Sequence, residues 1–85
     1  MDPKRQELLD ALQAAYRTVL PNQERILVWD DELLDLGVAS VAALEMAGIL
    51  EDQYEIRFPE YELGQVRTVA DFGELIARLR EPSTQ

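Results

Sequence analysis

The sequence predicts an all-α fold: a small antiparallel bundle of three long helices and one short helix, with a long loop between helices one and two. Three observations predict it. Apolar residues recur at helical spacing in three separate stretches. Proline, glycine and capping residues punctuate those stretches. No strand pattern competes; Val66-Arg67-Thr68-Val69 comes nearest and is too short.

Asp2-Pro3 reads as a helix start, with Asp2 as N-cap and Pro3 at the first helical position. Leu8, Leu9, Leu12, Ala15, Tyr16 and Val19 form one stripe, and Pro21-Asn22 stops it, so the first helix is expected over about residues 3–19. Residues 21–39 form the longest connection. Within it Ile26, Leu27, Val28 and Trp29 are expected to pin the loop to the core. Asp30, Asp31, Glu32 and Asp35 read as a solvated acidic loop rather than a partner-steering patch.

After Gly37, Ser40 is placed as a helix N-cap whose oxygen accepts a free backbone N–H of the first turn. The second helix is expected over residues 40–55. At about 100° per residue, Ala43, Met46, Ala47, Leu50 and Tyr54 share a core face. Val41, Leu44 and Gly48 fall on a different face, beside Glu45 and Asp52. A buried stripe leaves these five unexplained. They either meet the long loop in part or form a docking surface with a small apolar centre and an acidic rim.

Pro59 keeps Phe58 out of helix. Glu60-Tyr61-Glu62-Leu63 makes one short turn before Gly64. Thr68 reads as an N-cap, with Asp71 in the first turn where the helix dipole favours a carboxylate. Val69, Phe72, Leu75, Ile76 and Leu79 form the last stripe. Pro82 ends it, leaving residues 81–85 as a disordered polar tail. Residues 1–85 read as a single domain, structured over about 4–80, with no internal repeat.

Composition narrows the function. A chain of 85 residues suits one domain, and one this size buries only about 60–65% of its unfolded surface. With no cysteine and no histidine, it lacks disulfides, thiolate metal sites, and the commonest general base and metal ligand. A self-contained enzyme is therefore not expected, and neither a catalytic nor a metal-binding residue is assigned. Asp and Glu outnumber Lys and Arg by 17 to 8, for a net charge of −9. Such a surface repels nucleic acid and anionic lipid and attracts basic partners. No apolar run reaches the length of a membrane span, and residues 1–7 lack a signal-peptide core. A cytoplasmic monomer without nucleic-acid binding or membrane insertion is expected.

The residues resemble an acyl or peptidyl carrier protein. That family's signature is Gly-x-Asp-Ser-Leu at the start of the second helix, and here the stretch reads Gly37-Val38-Ala39-Ser40-Val41. From the serine onward the register matches without a gap: Leu44-Glu45, the late acidic pair Glu51-Asp52, Tyr54, then Ile56-Arg57-Phe58-Pro59. Thr68-Val69-Ala70-Asp71 matches the family's opening of the last helix. The likeness covers roughly residues 4–80.

The resemblance implies that Ser40 carries 4′-phosphopantetheine, transferred from coenzyme A by a separate Mg²⁺-dependent phosphopantetheinyl transferase. The arm's thiol then holds acyl or aminoacyl intermediates as thioesters among loading and processing enzymes with basic docking surfaces. Long-range attraction to an acidic carrier raises on-rate more than affinity. Val41, Leu44, Glu45, Gly48 and Asp52 are then the recognition face. Two residues depart from the family pattern: Ala39 replaces the usual aspartate, and Val41 the usual leucine. Both point toward a specialised polyketide, nonribosomal peptide or lipid pathway rather than housekeeping fatty-acid synthesis. The competing reading is an unmodified carrier-like interaction module, which Ala39 favours.

Overall fold

The structure, a computed structural model, describes residues 3–80. It contains helices α1 (Pro3–Val19), α2 (Ser40–Tyr54), α3 (Glu60–Leu63) and α4 (Val69–Arg80), with a 3₁₀ turn at Leu33–Leu36 inside the long loop. The described residues contain no strand, only an isolated antiparallel bridge between Glu32 and Thr68. The expected cap at Asp2 and the expected tail at 81–85 lie outside the described residues.

Helix α1 sits centrally and packs against both α2 and α4. Its stripe is buried as the spacing requires: Leu8, Leu9, Leu12, Ala15 and Tyr16, with Ala11 added and Val19 half-buried. Met46, Ala47 and Leu50 face it from α2, and Val69, Phe72, Leu75 and Ile76 from α4. Phe58 meets Phe72 edge to face, ring centroids 5.6 Å apart. Each such side chain, fully buried, stabilises the fold by about 1.5–3 kcal/mol, which a cysteine-free chain of this length needs.

The loop differs from expectation in three respects. Of the four apolar residues at 26–29, only Leu27 is buried and Trp29 half-buried; Ile26 and Val28 are exposed. Burial alternates along this segment. The 3₁₀ turn at Leu33–Leu36 was not signalled by the sequence; it buries Leu33 and Leu36 and leaves Leu34 outside. Finally, Asp31 is not a solvated charge. Its Oδ2 accepts the Val28 N–H at 2.9 Å, its Oδ1 lies 3.7 Å from Arg25 Nη2, and its carbonyl accepts the Val69 N–H at 2.9 Å. Asp30, Glu32 and Asp35 are exposed.

Trp29 fastens the loop to α4. A Cβ built on Gly73 would lie 2.5 Å from Trp29 Cη2, so the ring occupies the space a side chain there would need. The Arg5 guanidinium stands 4.9 Å from the centre of the Trp29 ring. Helix α2 stops at Tyr54, one residue short of the expected 55, because Glu55 adopts a left-handed conformation (φ 57) and its N–H closes on the Glu51 carbonyl. The Tyr54 phenol is held above its ordinary pKa by burial and by the Glu7 carboxylate, with Arg80 opposing. The Arg80 guanidinium lies 4.6 Å from the Tyr54 ring centre.

Candidate functional site

Ser40 is presented by a junction fixed from beneath. Leu33, Leu36 and Val38 are buried. The Tyr16 hydroxyl, itself fully buried, donates to the Leu36 carbonyl at 3.0 Å. Gly37 has φ 81, a left-handed value that costs other residues strain. Its N–H donates to Leu34 O at 3.1 Å, and the Val38 N–H donates to Leu33 O at 2.9 Å. The chain therefore leaves the 3₁₀ turn in one direction and arrives at α2 already oriented.

Ser40 is not the N-cap that the sequence suggested. Ala39 holds that position, with extended backbone (φ −92, ψ −173), and its carbonyl accepts the Ala43 N–H at 2.8 Å. Ser40 is the first helical residue, one position past the residue whose side chain would cap the free N–H groups of the first turn. No side chain caps α2. The Ser40 hydroxyl makes no hydrogen bond among the described residues, and the residue is exposed. An uncommitted hydroxyl thus stands at the positive end of a 15-residue helix. A phosphate ester formed on it would meet unpaired N–H groups and a favourable dipole, so the residues fit a covalently attached phosphate group.

Beside Ser40 opens a cleft of about 650 Å³. Leu33, Leu34, Val38, Leu44, Leu63 and Val66 line it, and Glu32, Glu60 and Arg67 supply polar groups. Leu34 and Leu44 are 76% and 59% exposed, so the apolar walls are open to solvent.

The remaining candidate residues lie together on the outside of α2. Val41 is 70% exposed, and Glu45, Gly48 and Asp52 are exposed too. Of the five, Leu44 alone lines the cleft beside the loop residues Leu33 and Leu34; the long loop does not cover the rest. The neighbouring Glu51 has a structural job, its Oε2 accepting the Phe58 N–H at 2.8 Å. Sequence reasoning missed Tyr16 as the anchor of the junction. The available signal was a tyrosine in a buried stripe, whose hydroxyl needs a partner. The described residues hold no group of His, Cys, Asp or Glu able to bind a metal ion, and none of their helices is long and apolar enough to cross a membrane.

Residues 10–76 match the family described as the phosphopantetheine attachment site. Among solved structures, the chain is similar to the acetyl actinorhodin acyl carrier protein of Streptomyces coelicolor, at 25% identity and TM-score 0.74, covering 85% of this chain and 88% of that one. It is also similar to the holo acyl carrier protein of Geobacter metallireducens, at 26% identity and TM-score 0.72, covering 84% and 83%. An acyl carrier protein of Thermotoga maritima shares the fold at 16% identity and TM-score 0.75, covering 89% and 88%. No curated protein matches the chain significantly.

Proposed function

The chain belongs to the acyl carrier proteins with a phosphopantetheine attachment site, and from that premise we propose that Ser40 Oγ is the attachment point in a carrier for a specialised biosynthetic pathway. Members of this family are carriers, not catalysts, and the cofactor they hold covalently is 4′-phosphopantetheine. The observation that supports Ser40 is its exposed hydroxyl, free of hydrogen bonds, on the first turn of α2.

In attachment, the Ser40 hydroxyl attacks the pantetheine-bearing phosphorus of coenzyme A. A phosphoester bond to Oγ forms and the pyrophosphate P–O bond breaks. Adenosine 3′,5′-bisphosphate leaves, and the hydroxyl proton passes to a base on the transferase. The chain has no histidine or cysteine of its own to assist, so its part is to hold the hydroxyl out and to place the helix N-terminus beside the new negative charge. The attached arm supplies a thiol that carries cargo as a thioester. Likeness to a carrier solved in its acetyl form favours acyl over aminoacyl cargo. The pathway makes a polyketide, a nonribosomal peptide or a lipid. We take the protein to act as a monomeric, single-domain cytoplasmic carrier, handed between its transferase and enzymes with basic docking surfaces. Val41, Leu44, Glu45, Gly48 and Asp52 are the proposed recognition face.

Intact mass after incubation with a broad-specificity transferase, Mg²⁺ and coenzyme A tests the attachment. The expected result is a gain of one phosphopantetheine by the natural chain and none by Ser40→Ala. A gain by Ser40→Ala would move the site elsewhere. Ala39 supports a second reading, since no carboxylate precedes the serine to meet the transferase. Failure of the natural chain to gain mass would favour that unmodified interaction module.

A further inference from the structure

Among the residues that line the cleft, Arg67 is the one cation, and Ser40 lines the same cleft. The Arg67 backbone is tied on both sides. Its N–H donates to Asp71 Oδ2 at 3.1 Å, and its carbonyl accepts the Leu33 N–H at 2.9 Å. Helix α4 and the long loop therefore fix where the residue stands. The residue is exposed, and its guanidinium makes no hydrogen bond, ion pair or ring contact among the described residues. Other arginines are engaged: Arg25 with Asp31, Arg78 with Glu62, Arg80 with Glu7, and Arg5 with the Trp29 ring. Arg17 and Arg57 are uncommitted too, but neither lines the cleft.

The charges around Arg67 restrict what it can hold. Glu32 and Glu60 also line the cleft, and the chain carries a net charge of −9. A free anion arriving from solution meets repulsion before it meets the guanidinium. A group tethered to Ser40 does not face that barrier in the same way. Its effective concentration at the cleft is on the order of millimolar, so a contact too weak to capture a free anion is still populated. A guanidinium offers a planar fork of N–H donors that matches a carboxylate in two parallel hydrogen bonds. The methyl end of a plain fatty chain offers that fork no acceptor.

Resting on the assignment of Ser40 as the attachment point, we infer that Arg67 selects cargo by its far end: it holds the free carboxylate of a dicarboxylic acyl group whose other end is the thioester. Leu63 and Val66, beside Arg67 on the cleft wall, meet the methylenes between the two ends. Glu32 and Glu60 sharpen the choice, because without Arg67 they repel the same carboxylate. The contact is non-covalent, so the cargo leaves with the arm when a processing enzyme takes it.

The test reads the cargo's own carboxyl group. A broad-specificity transferase loads the natural chain and Arg67→Gln from glutaryl-coenzyme A, ¹³C-labelled at the free carboxylate, or from pentanoyl-coenzyme A, in which a methyl replaces that carboxylate. The ¹³C signal is followed against pH, and the Arg67 Nε–H signal is compared among the arm alone, glutaryl and pentanoyl forms. A nearby cation favours the charged carboxylate. The glutaryl group on the natural chain should therefore bind its proton about twofold or more weakly than in glutaryl-coenzyme A. On Arg67→Gln it should bind its proton as tightly as in glutaryl-coenzyme A or more tightly, since Glu32 and Glu60 remain. The Arg67 Nε–H should shift with glutaryl only, and Arg67→Gln should keep the urea midpoint, because the side chain makes no contact that holds the fold. Titration of the loaded natural chain like that of glutaryl-coenzyme A would overturn the inference. So would a weakened proton that survives Arg67→Gln, an equal Nε–H shift with pentanoyl, or a full shift with the arm alone, which would assign Arg67 to the arm's phosphate. These results leave Ser40 standing. Failure of the natural chain to load from either thioester would instead strike the Ser40 assignment, and this inference with it.

Discussion

Helices α2 and α4 both follow loops, and they begin in opposite ways. At α4, Thr68 Oγ1 accepts the Asp71 N–H at 3.0 Å. The Asp71 carboxylate accepts the N–H groups of Thr68 and Arg67 at 3.2 and 3.1 Å. This is a reciprocal capping box with aspartate in the usual glutamate position. The backbone adds further ties: the Val69 N–H donates to Asp31 O and the Ala70 N–H to Trp29 O, at 2.9 and 2.8 Å. At α2, Ala39 has no side-chain oxygen to offer, and no side chain makes a cap hydrogen bond. One helix start is closed by the chain itself. The other is left without a side-chain cap, as the proposed attachment at Ser40 would use. The stabilisation lost at α2 accompanies access to Ser40, and four substitutions separate these two roles.

The largest effect is expected where the approach to α2 is set. Gly37→Ala forces a Cβ into the left-handed region at φ 81 and should destabilise by about 1–2 kcal/mol, read from urea melts. Because Gly37 aims the chain toward Ser40, loading by the transferase should fall as well. Unchanged stability would mean that the junction relaxes without the left-handed residue, and the fixed approach argued above would be wrong.

Thr68→Ala comes next. It removes the oxygen that holds the Asp71 N–H and should cost about 1 kcal/mol, within the 0.5–2 kcal/mol range for lost caps. Loading of Ser40 should not change. A melt indistinguishable from the natural chain would show that the backbone ties to Asp31 and Trp29 suffice to close α4.

Much of this contrast was legible in the sequence, and the part that was not has a definite cause. Thr68 and Asp71 stand three residues apart, the spacing a capping box requires, and the structure has that box. Ser40 has Ala43 at the same spacing, so no reciprocal partner existed; the serine nonetheless looked like a cap because serine often is one. Which residue is N-cap depends on where the backbone turns helical, and extended geometry at Ala39 settled it one residue early. The three helical stripes were readable because each is periodic. The loop was not: Leu33 and Leu34 are identical side chains, and only the 3₁₀ turn decides that the first is buried and the second exposed. The long-range tie from Tyr16 to Leu36 spans 20 residues, beyond the reach of any local pattern. The membership of the outer face of α2 followed from angular position alone, and those residues are exposed.

Ala39→Asp would give α2 the closed start that α4 has. Placed at the N-cap, the carboxylate can accept a first-turn N–H and interact with the dipole, for a gain of about 0.5–1 kcal/mol. Loading should rise with a general-purpose transferase, through one more acidic contact, and rise less or fall with a native transferase adapted to alanine. kcat/KM for both chains with both enzymes checks this. Equal rates throughout would make Ala39 neutral for modification.

The smallest effect on stability is expected at the residue proposed as the attachment point. Ser40→Ala removes a hydroxyl that makes no hydrogen bond among the described residues from a position already inside the helix. Alanine is the better helix former by a few tenths of a kcal/mol, so the urea melt should shift by less than about 0.5 kcal/mol, toward greater stability. Thr68→Ala, melted alongside, is the internal standard: the same kind of oxygen is removed from a helix start, but there it is bonded. If Ser40→Ala costs as much as Thr68→Ala, the serine caps α2 in solution, its hydroxyl is engaged, and the open start described here does not exist. If the two differ as expected, the Ser40 hydroxyl contributes nothing to holding the fold, and its full chemical capacity is free for attachment.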